Sequence, residues 1–194
     1  MKRILLAALM ASGLVSARAT LFQYNVFFSS AGEAAPSPGT GSGTVDYDDI
    51  AHTLALSCSF SGLLGTTSAS HIHAPTTSPL TGNAGVATTT PSFALFPLGV
   101  TSGTFNNTLD LTQASSWNPA FVTANGSIAA SETVLANAMA SGRAYWNIHS
   151  STAPGGEIRG FLVPVPEPSS LALIGMCAAG LAGRSWRKRR ASKA

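Results

Sequence analysis

Apolar and polar residues alternate along much of the central part of the chain. In residues 52–60, Leu54, Leu56, Cys58 and Phe60 fall on one side and the residues between them fall on the other. A period of two is typical of a β-strand with one buried face. Similar short segments predict further strands at residues 21–29, 44–48, 69–73, 85–88, 100–109, 143–149 and 157–163.

Turn-forming residues separate these segments at short intervals. Residues 37–43 predict a turn rich in proline, glycine and serine. Residues 131–141 break the pattern and predict one short helix, with Ser131 as N-cap, Glu132 in the first turn and Gly142 past the end. About eight short strands and one helix predict an all-β fold, an antiparallel two-sheet β-sandwich of the immunoglobulin-like kind.

The first 19 residues have the three parts of a signal peptide. Lys2 and Arg3 give a charged start, an apolar run of about 12 residues follows, and Ala17 and Ala19 supply the small residues that signal peptidase needs. We expect residues 1–19 to be a signal peptide that is cleaved after Ala19. A buried N-terminal helix is the alternative interpretation.

Residues 164–194 carry a second targeting pattern. It starts with the tetrapeptide Val165, Pro166, Glu167 and Pro168. An apolar stretch over 169–183 and a basic tail over 184–194 follow. As a helix the apolar stretch would measure about 22 Å against roughly 30 Å of hydrocarbon, which predicts a single, marginal transmembrane helix with its basic tail in the cytoplasm.

This order of motifs resembles the PEP-CTERM sorting signal of exopolysaccharide-producing bacteria. The resemblance implies recognition by an exosortase, transient anchoring in the membrane by the helix, and removal of the tail. The domain would then be released from the cell or attached to its surface. A permanent C-terminal anchor is the alternative.

The distribution of charge excludes one class of function. The whole chain has a formal net charge of +3, but residues 20–165 hold two cations, Arg143 and Arg159, against seven acids, a net charge of −5. Nucleic-acid binding needs clustered cations, so we exclude it. Cys58 in this region and Cys177 in the apolar tail would lie apart and form no disulfide, and Cys58 is predicted to be a core residue.

Three tripeptides place an isoleucine between two polar residues, which puts the polar pair on one face of a strand. They are His71-Ile72-His73, Asn147-Ile148-His149 and Glu157-Ile158-Arg159. The last two belong to consecutive strands, and a hairpin centred near Ala153 predicts their register. The predicted pairs are His149 with Glu157, Ile148 with Ile158, Asn147 with Arg159, Trp146 with Gly160, and Tyr145 with Phe161.

Blocks of residues in a fixed order resemble the CHRD domain, first named from chordin and recurrent in bacterial secreted proteins. The blocks are Gly32-Glu33, Ser70-His71-Ile72-His73-Ala74-Pro75, Tyr145-Trp146-Asn147-Ile148-His149 and Pro154-Gly155-Gly156-Glu157-Ile158-Arg159-Gly160. We assign residues 20–163 to this domain. The resemblance implies a β-sandwich-like extracellular domain with no established enzymatic reaction.

The polar residues of the three tripeptides form the candidate site. They are His71, His73, Asn147, His149, Glu157 and Arg159. One hypothesis is a structural network that contains a Glu157–Arg159 salt bridge and fixes the strand register. The other is a zinc or copper site formed by His71, His73 and His149, with Glu157 as an orienting group or fourth ligand. A catalytic role is a further alternative, although no catalytic motif is recognised.

We therefore expect a non-enzymatic, exported protein of the cell surface or matrix that requires no cofactor. Its partners would be signal peptidase and exosortase during export, and exopolysaccharide, surface proteins or its own copies afterwards. The alternative is a metal-binding secreted protein or metalloenzyme that uses the His-Ile-His strand and zinc or copper.

Overall fold

The computed structural model describes residues 21–166, which form two antiparallel β-sheets and two helices. The strands are β1 (Leu21–Phe28), β2 (Thr40–Asp48), β3 (Thr53–Ser61), β4 (Thr67–His73), β5 (Gly103–Asp110), β6 (Tyr145–Ser150), β7 (Ile158–Phe161) and β8 (Val163–Pro164). The helices are α1 (Pro119–Asn125) and α2 (Ile128–Ala140), preceded by a 3-10 turn at Ala114–Ser116. One sheet has the order β5-β3-β2-β1-β8 and the other β4-β6-β7. The predicted all-β, two-sheet fold is confirmed.

The hydrophobic core consists of the apolar positions of the alternating pattern. β3 contributes Leu54, Leu56, Cys58 and Phe60. The three-stranded sheet contributes Ile72, Trp146, Ile148 and Ile158, all fully buried. The Trp146 ring packs edge-on against Phe28 with 5.4 Å between ring centroids, and its Nε1–H donates to Ser70 Oγ at 2.7 Å. A large ring with its one polar atom satisfied therefore joins the two sheets.

The predicted β6–β7 register is confirmed over the length of β7. The observed pairs are Tyr145 with Phe161, Trp146 with Gly160, Asn147 with Arg159, and Ile148 with Ile158. Gly160 allows close approach of β1, because a Cβ at this position would lie 2.5 Å from the Phe27 carbonyl oxygen. The pairing ends at Ile158, and the Glu157 N–H donates to the Ile148 carbonyl at 2.9 Å. The predicted pairing of His149 with Glu157 is therefore wrong.

Two predicted segments differ from the observed strands. The turn predicted at 37–43 is strand from Thr40 onward, because Gly41 and Gly43 lie opposite Phe60 and Cys58 and leave room for β3. Residues 85–88 were predicted as a strand but make only isolated bridges, among them one from Val86 to His73. They run along the end of β4 as a loop.

The helical region is longer than predicted. The N-cap of α2 is Ser127, whose Oγ accepts from the Ala130 N–H at 3.1 Å, so the prediction of Ser131 as N-cap is wrong. Ser131 lies buried one turn inside the helix and donates to the Ser127 carbonyl at 2.8 Å. The prediction of one helix missed α1, although Asn118 at its N-cap and Pro119 in its first turn are recognisable start signals.

Candidate functional site

Three imidazole rings converge on the face of the three-stranded sheet that points away from the core. His71 and His73 lie two residues apart on β4, so their side chains share this face. On β6, Asn147 pairs with His71 and His149 pairs with Ala69, which places the His149 ring diagonal to that of His71. The centroid of the His71 ring lies 4.8 Å from that of the His73 ring and 4.6 Å from that of the His149 ring.

Loops cover these rings, although they lie on an outward face. His71, His73 and His149 (the site histidines) are only 6%, 8% and 7% exposed. The Nδ1 atom of His73 hydrogen-bonds the Ala84 carbonyl and that of His149 the Pro154 carbonyl, each at 2.9 Å. Two separate loops therefore orient two of the three rings through main-chain carbonyl groups.

The site histidines are neutral at physiological pH. Burial lowers the pKa of His71 to about 3, and the nearby His149 and His73 add to this effect. The Pro91 carbonyl opposes it weakly but lies outside hydrogen-bonding geometry with the ring. Burial also lowers the pKa of His73 to about 4 and that of His149 below its usual value. A carbonyl only accepts, so the hydrogen of His73 and of His149 is on Nδ1 and the lone pair is on Nε2.

Within residues 21–166, four ring nitrogens of the site are buried and without a hydrogen-bond partner. They are both nitrogens of His71, Nε2 of His73 and Nε2 of His149. One ligand atom from each ring lies within 4.8 Å of the other two. The arrangement is a set of neutral nitrogen donors that face a common point.

Arg159 lies beside the site histidines, but its carboxylate partner is Glu33. Its Nε lies 3.6 Å from Glu33 Oε1, and both side chains are nearly fully buried. Its Nη1 donates to Asn83 Oδ1 at 2.6 Å and to the Gly82 carbonyl at 3.3 Å, while the guanidinium lies 4.8 Å from the centroid of the Tyr145 ring. Burial raises the pKa of Glu33, and Arg159 opposes this rise.

The predicted salt bridge between Glu157 and Arg159 is therefore absent from the described structure. The Glu157 carboxylate accepts from the Leu64 N–H, the Gly65 N–H and the Ser37 hydroxyl. Burial alone would raise the pKa of Glu157, but the hydrogen bonds to its carboxylate lower it. Glu157 precedes the first residue of β7, so the alternation that would align it with Arg159 does not reach it.

The predicted site thus divides into two parts. His71, His73 and His149 come together, with Asn147 and Arg159 beside them, whereas Glu157 binds a different loop. Glu33 was not predicted as a site residue, although the Gly32-Glu33 block was recognised. Gly32, at φ +83°, is tightly packed against the Arg159 guanidinium and positions the acid that follows it.

A cleft of about 450 Å³ opens next to His73. Its polar walls include Glu33, Asn83, Asn147 and Arg159. His73 is the one site histidine among its lining residues, so the cleft brings a small ion or ligand to the edge of the histidine cluster.

Comparison with known protein families identifies the domain. The family model of the CHRD domain matches residues 24–162, and this match covers most of the chain. The chain belongs to the CHRD domain family. In this CHRD domain the recognised His-Ile-His block is the end of β4, and the Gly-Glu-Ile-Arg-Gly block leads into β7. No curated protein and no solved structure matches the chain.

A PEP-CTERM protein-sorting motif matches residues 164–190, directly after the CHRD domain. The motif indicates an exported, surface-associated protein that is processed by an exosortase. Val165 follows β8 and its N–H donates to the Gln23 carbonyl at 2.8 Å, and Pro166 after it is exposed. The start of the motif is therefore attached to the edge of the larger sheet.

Several predicted features lie outside the described residues 21–166. They are the signal peptide 1–19 with Ala17 and Ala19, the motif residues Glu167 and Pro168, the transmembrane helix 169–183, Cys177 and the basic tail 184–194. Among the residues that are described, neither helix has the length and apolar character needed to cross a bilayer.

Proposed function

We propose that this protein is a non-enzymatic module of the cell surface or extracellular matrix whose CHRD domain binds a neutral exopolysaccharide. The observation that carries the proposal is the solvent-facing side of the larger sheet. Most residues that line its depressions are small and uncharged, with Asp46 as the one acid among them, and one large aromatic ring, Phe27, projects from the face with 70% of its surface exposed. The small polar residues are Asn25, Ser42, Thr44, Ser57, Ser59, Thr104 and Asn106.

The shape of this face suits a polymer. Three shallow depressions of about 610, 490 and 390 Å³ cross strands β1, β2, β3 and β5. Neighbouring depressions share lining residues, since Ser42, Ser59 and Thr104 belong to the first two and Thr44 and Ser57 to the last two. They therefore form one continuous, open trough.

The chemistry of the trough matches that of a sugar chain. Hydroxyl and amide side chains both donate and accept hydrogen bonds, as the hydroxyl groups of a sugar require. An exposed aromatic ring offers an apolar surface on which a sugar ring can stack. The net charge of −5 over residues 20–165 repels acidic polymers, so the proposal is restricted to neutral ones.

The export route is the second part of the proposal. Signal peptidase removes residues 1–19, the C-terminal helix anchors the chain briefly in the membrane, and exosortase removes the tail near Pro168. In a host with an exosortase, mass spectrometry of the extracellular protein should then find a chain that begins at Thr20. Detection of Trp186 or Arg190 in this extracellular form would contradict the proposed processing.

Binding is tested by affinity electrophoresis in gels that contain dextran or a soluble neutral β-glucan, with acidic alginate as the comparison. Phe27→Ala should weaken retention by the neutral polymer about tenfold, because it removes the stacking surface. Ile50→Ala is the matched control, since Ile50 is 59% exposed but lies in the β2–β3 turn. Equal retention of the parent and Phe27→Ala, or preference for alginate, would contradict the proposal.

A further inference from the structure

The site histidines have no task in polysaccharide binding on the opposite sheet, and their geometry supports a separate site. We propose that His71, His73 and His149 bind one zinc or copper ion, each through one ring nitrogen. The inference goes beyond the proposed function, which needs no metal.

The orientation of the rings is the first argument. Histidines that bind a metal usually donate their second ring N–H to a carbonyl or carboxylate, which fixes the tautomer and turns the other nitrogen toward the ion. His73 and His149 make this contact with the Ala84 and Pro154 carbonyls at 2.9 Å. Their Nε2 lone pairs are left free, as a ligand atom requires.

The second argument is that the ring nitrogens are buried without partners. A buried polar atom without a hydrogen bond destabilises the fold, so native structures rarely keep several of them together. A carboxylate only accepts, so it could satisfy at most the single N–H of His71 and not the Nε2 lone pairs of His73 and His149. The nearby carboxylates also have other partners, since Glu157 accepts from the Leu64 and Gly65 N–H groups and Glu33 faces Arg159. A single cation would satisfy one nitrogen of each ring at once.

Distances and access are compatible with an ion. The ligand atoms lie within 4.8 Å of one another, and zinc–nitrogen bonds of about 2.0–2.1 Å in a tetrahedron would set them roughly 3.3 Å apart. A contraction of at most about 1.5 Å, within reach of small side-chain rotations, closes the site. The adjoining cleft of about 450 Å³ is bordered by His73 and offers an ion an approach to the edge of the cluster.

The nature of the donors selects the metal. Neutral imidazoles suit zinc and copper, whereas calcium and magnesium need the oxygen ligands that this cluster lacks within the described residues. Arg159 beside the cluster also disfavours a site that depends on charge alone. Three imidazole nitrogens bind a zinc or copper ion by donating their lone pairs in a fixed geometry. The positive charge of one nearby guanidinium is therefore tolerated.

The test uses the full-length chain, purified without a polyhistidine tag and stripped with a chelator. Zn²⁺ or Cu²⁺ alone is added back, the bound metal is measured by mass spectrometry, and the melting temperature is recorded. We expect one equivalent of metal and a higher melting temperature. His71→Ala and His149→Ala should each weaken binding by about 100-fold or more, since loss of a direct ligand exceeds the effect of losing an orienting group.

His52→Ala is the matched control, because His52 is the fourth histidine of the chain and lies outside the cluster. It should bind metal as the parent does. Titration of the unsubstituted chain decides the question even if a site variant fails to fold. Binding of far less than one equivalent of either metal to the parent, or an equal loss in His52→Ala, would overturn the proposal and leave water as the partner of the ring nitrogens.

Discussion

Replacement of Arg159 with alanine tests how the polar side of the smaller sheet is stabilised. The Arg159 guanidinium is one of two cations in residues 20–165, and it lies 3.6 Å from the buried Glu33 carboxylate. It also donates to Asn83 and packs on the Tyr145 ring. Arg159→Ala therefore leaves the Glu33 carboxylate buried without a cation and removes a stacking partner.

The expected loss follows from burial. Breaking a buried ion pair by removal of one partner costs about 3–5 kcal/mol, because the remaining charge is uncompensated. An exposed pair would cost less than about 1 kcal/mol. Both side chains here are 7% exposed, so we expect the larger loss at neutral pH. The expected loss is a large share of the total free energy of unfolding of such a domain, which is roughly 5–15 kcal/mol.

The loss should depend on pH in a defined direction. Burial raises the pKa of Glu33 and Arg159 opposes that rise, so removal of the guanidinium moves the folded-state pKa of Glu33 further upward. A group whose folded pKa is raised loses stabilisation as the pH rises through that value. The difference in unfolding free energy between the parent and Arg159→Ala should therefore be smaller at pH 4.5 than at pH 7.5.

Urea titration followed by tryptophan fluorescence measures these differences. Arg143→Ala is the matched control, because among the described residues Arg143 has no carboxylate in salt-bridge distance and donates to the Thr76 carbonyl. Its loss should be about 1 kcal/mol and independent of pH. A loss below about 1 kcal/mol for Arg159→Ala, or an equal loss at both pH values, would refute this reasoning.

Two further predictions concern the loop after β6 and the protonation of the histidines. Gly156→Ala should lower the free energy of unfolding by at least about 2 kcal/mol, as measured by urea titration. The reason is that Gly156 has a φ of +130° and that a Cβ there would collide with the Asn147 amide. A Cβ at Gly155 would meet no described atom within 4 Å, so Gly155→Ala should be nearly neutral. In an NMR pH titration of the metal-free protein, His52 should titrate above its usual pKa, because Glu132 hydrogen-bonds it. The site histidines should titrate below their usual pKa, because they are buried. Equal losses for the two glycine variants, or four overlapping histidine titrations, would contradict these expectations.

The strand faces could be predicted from the sequence because they depend on local alternation. His71 and His73 share a face for the same geometric reason that Leu54 and Leu56 do. The β6–β7 register was also predictable, since a short hairpin loop and a matching pair of isoleucines at 148 and 158 leave one arrangement that buries both. These features need no information about distant parts of the chain.

The partners of the charged residues could not be predicted in this way. Glu33 reaches Arg159 from the loop after β1, and Glu157 accepts from residues that lie 93 and 92 positions away. Such contacts depend on how loops pack in three dimensions, and no periodic pattern in the sequence encodes that packing. The hypothesis of a Glu157–Arg159 pair failed because it extended strand alternation beyond the start of β7, into a loop shaped by Gly156.

The burial of the site histidines also results from loop packing. This burial determines how the site should respond to substitutions in the loops and in the core. Strands β4 and β6 set the spacing between the rings through their backbone ladder, whereas loops supply the carbonyl groups of Ala84 and Pro154 that orient them. Polar residues on the outward face of a sheet would ordinarily be hydrated. Here loops bury the rings, whereas the hydrophobic core lies on the other face of the sheet. Changes in these loops should therefore alter ring orientation and hydration with little effect on the fold, whereas changes in the core beneath should destabilise both.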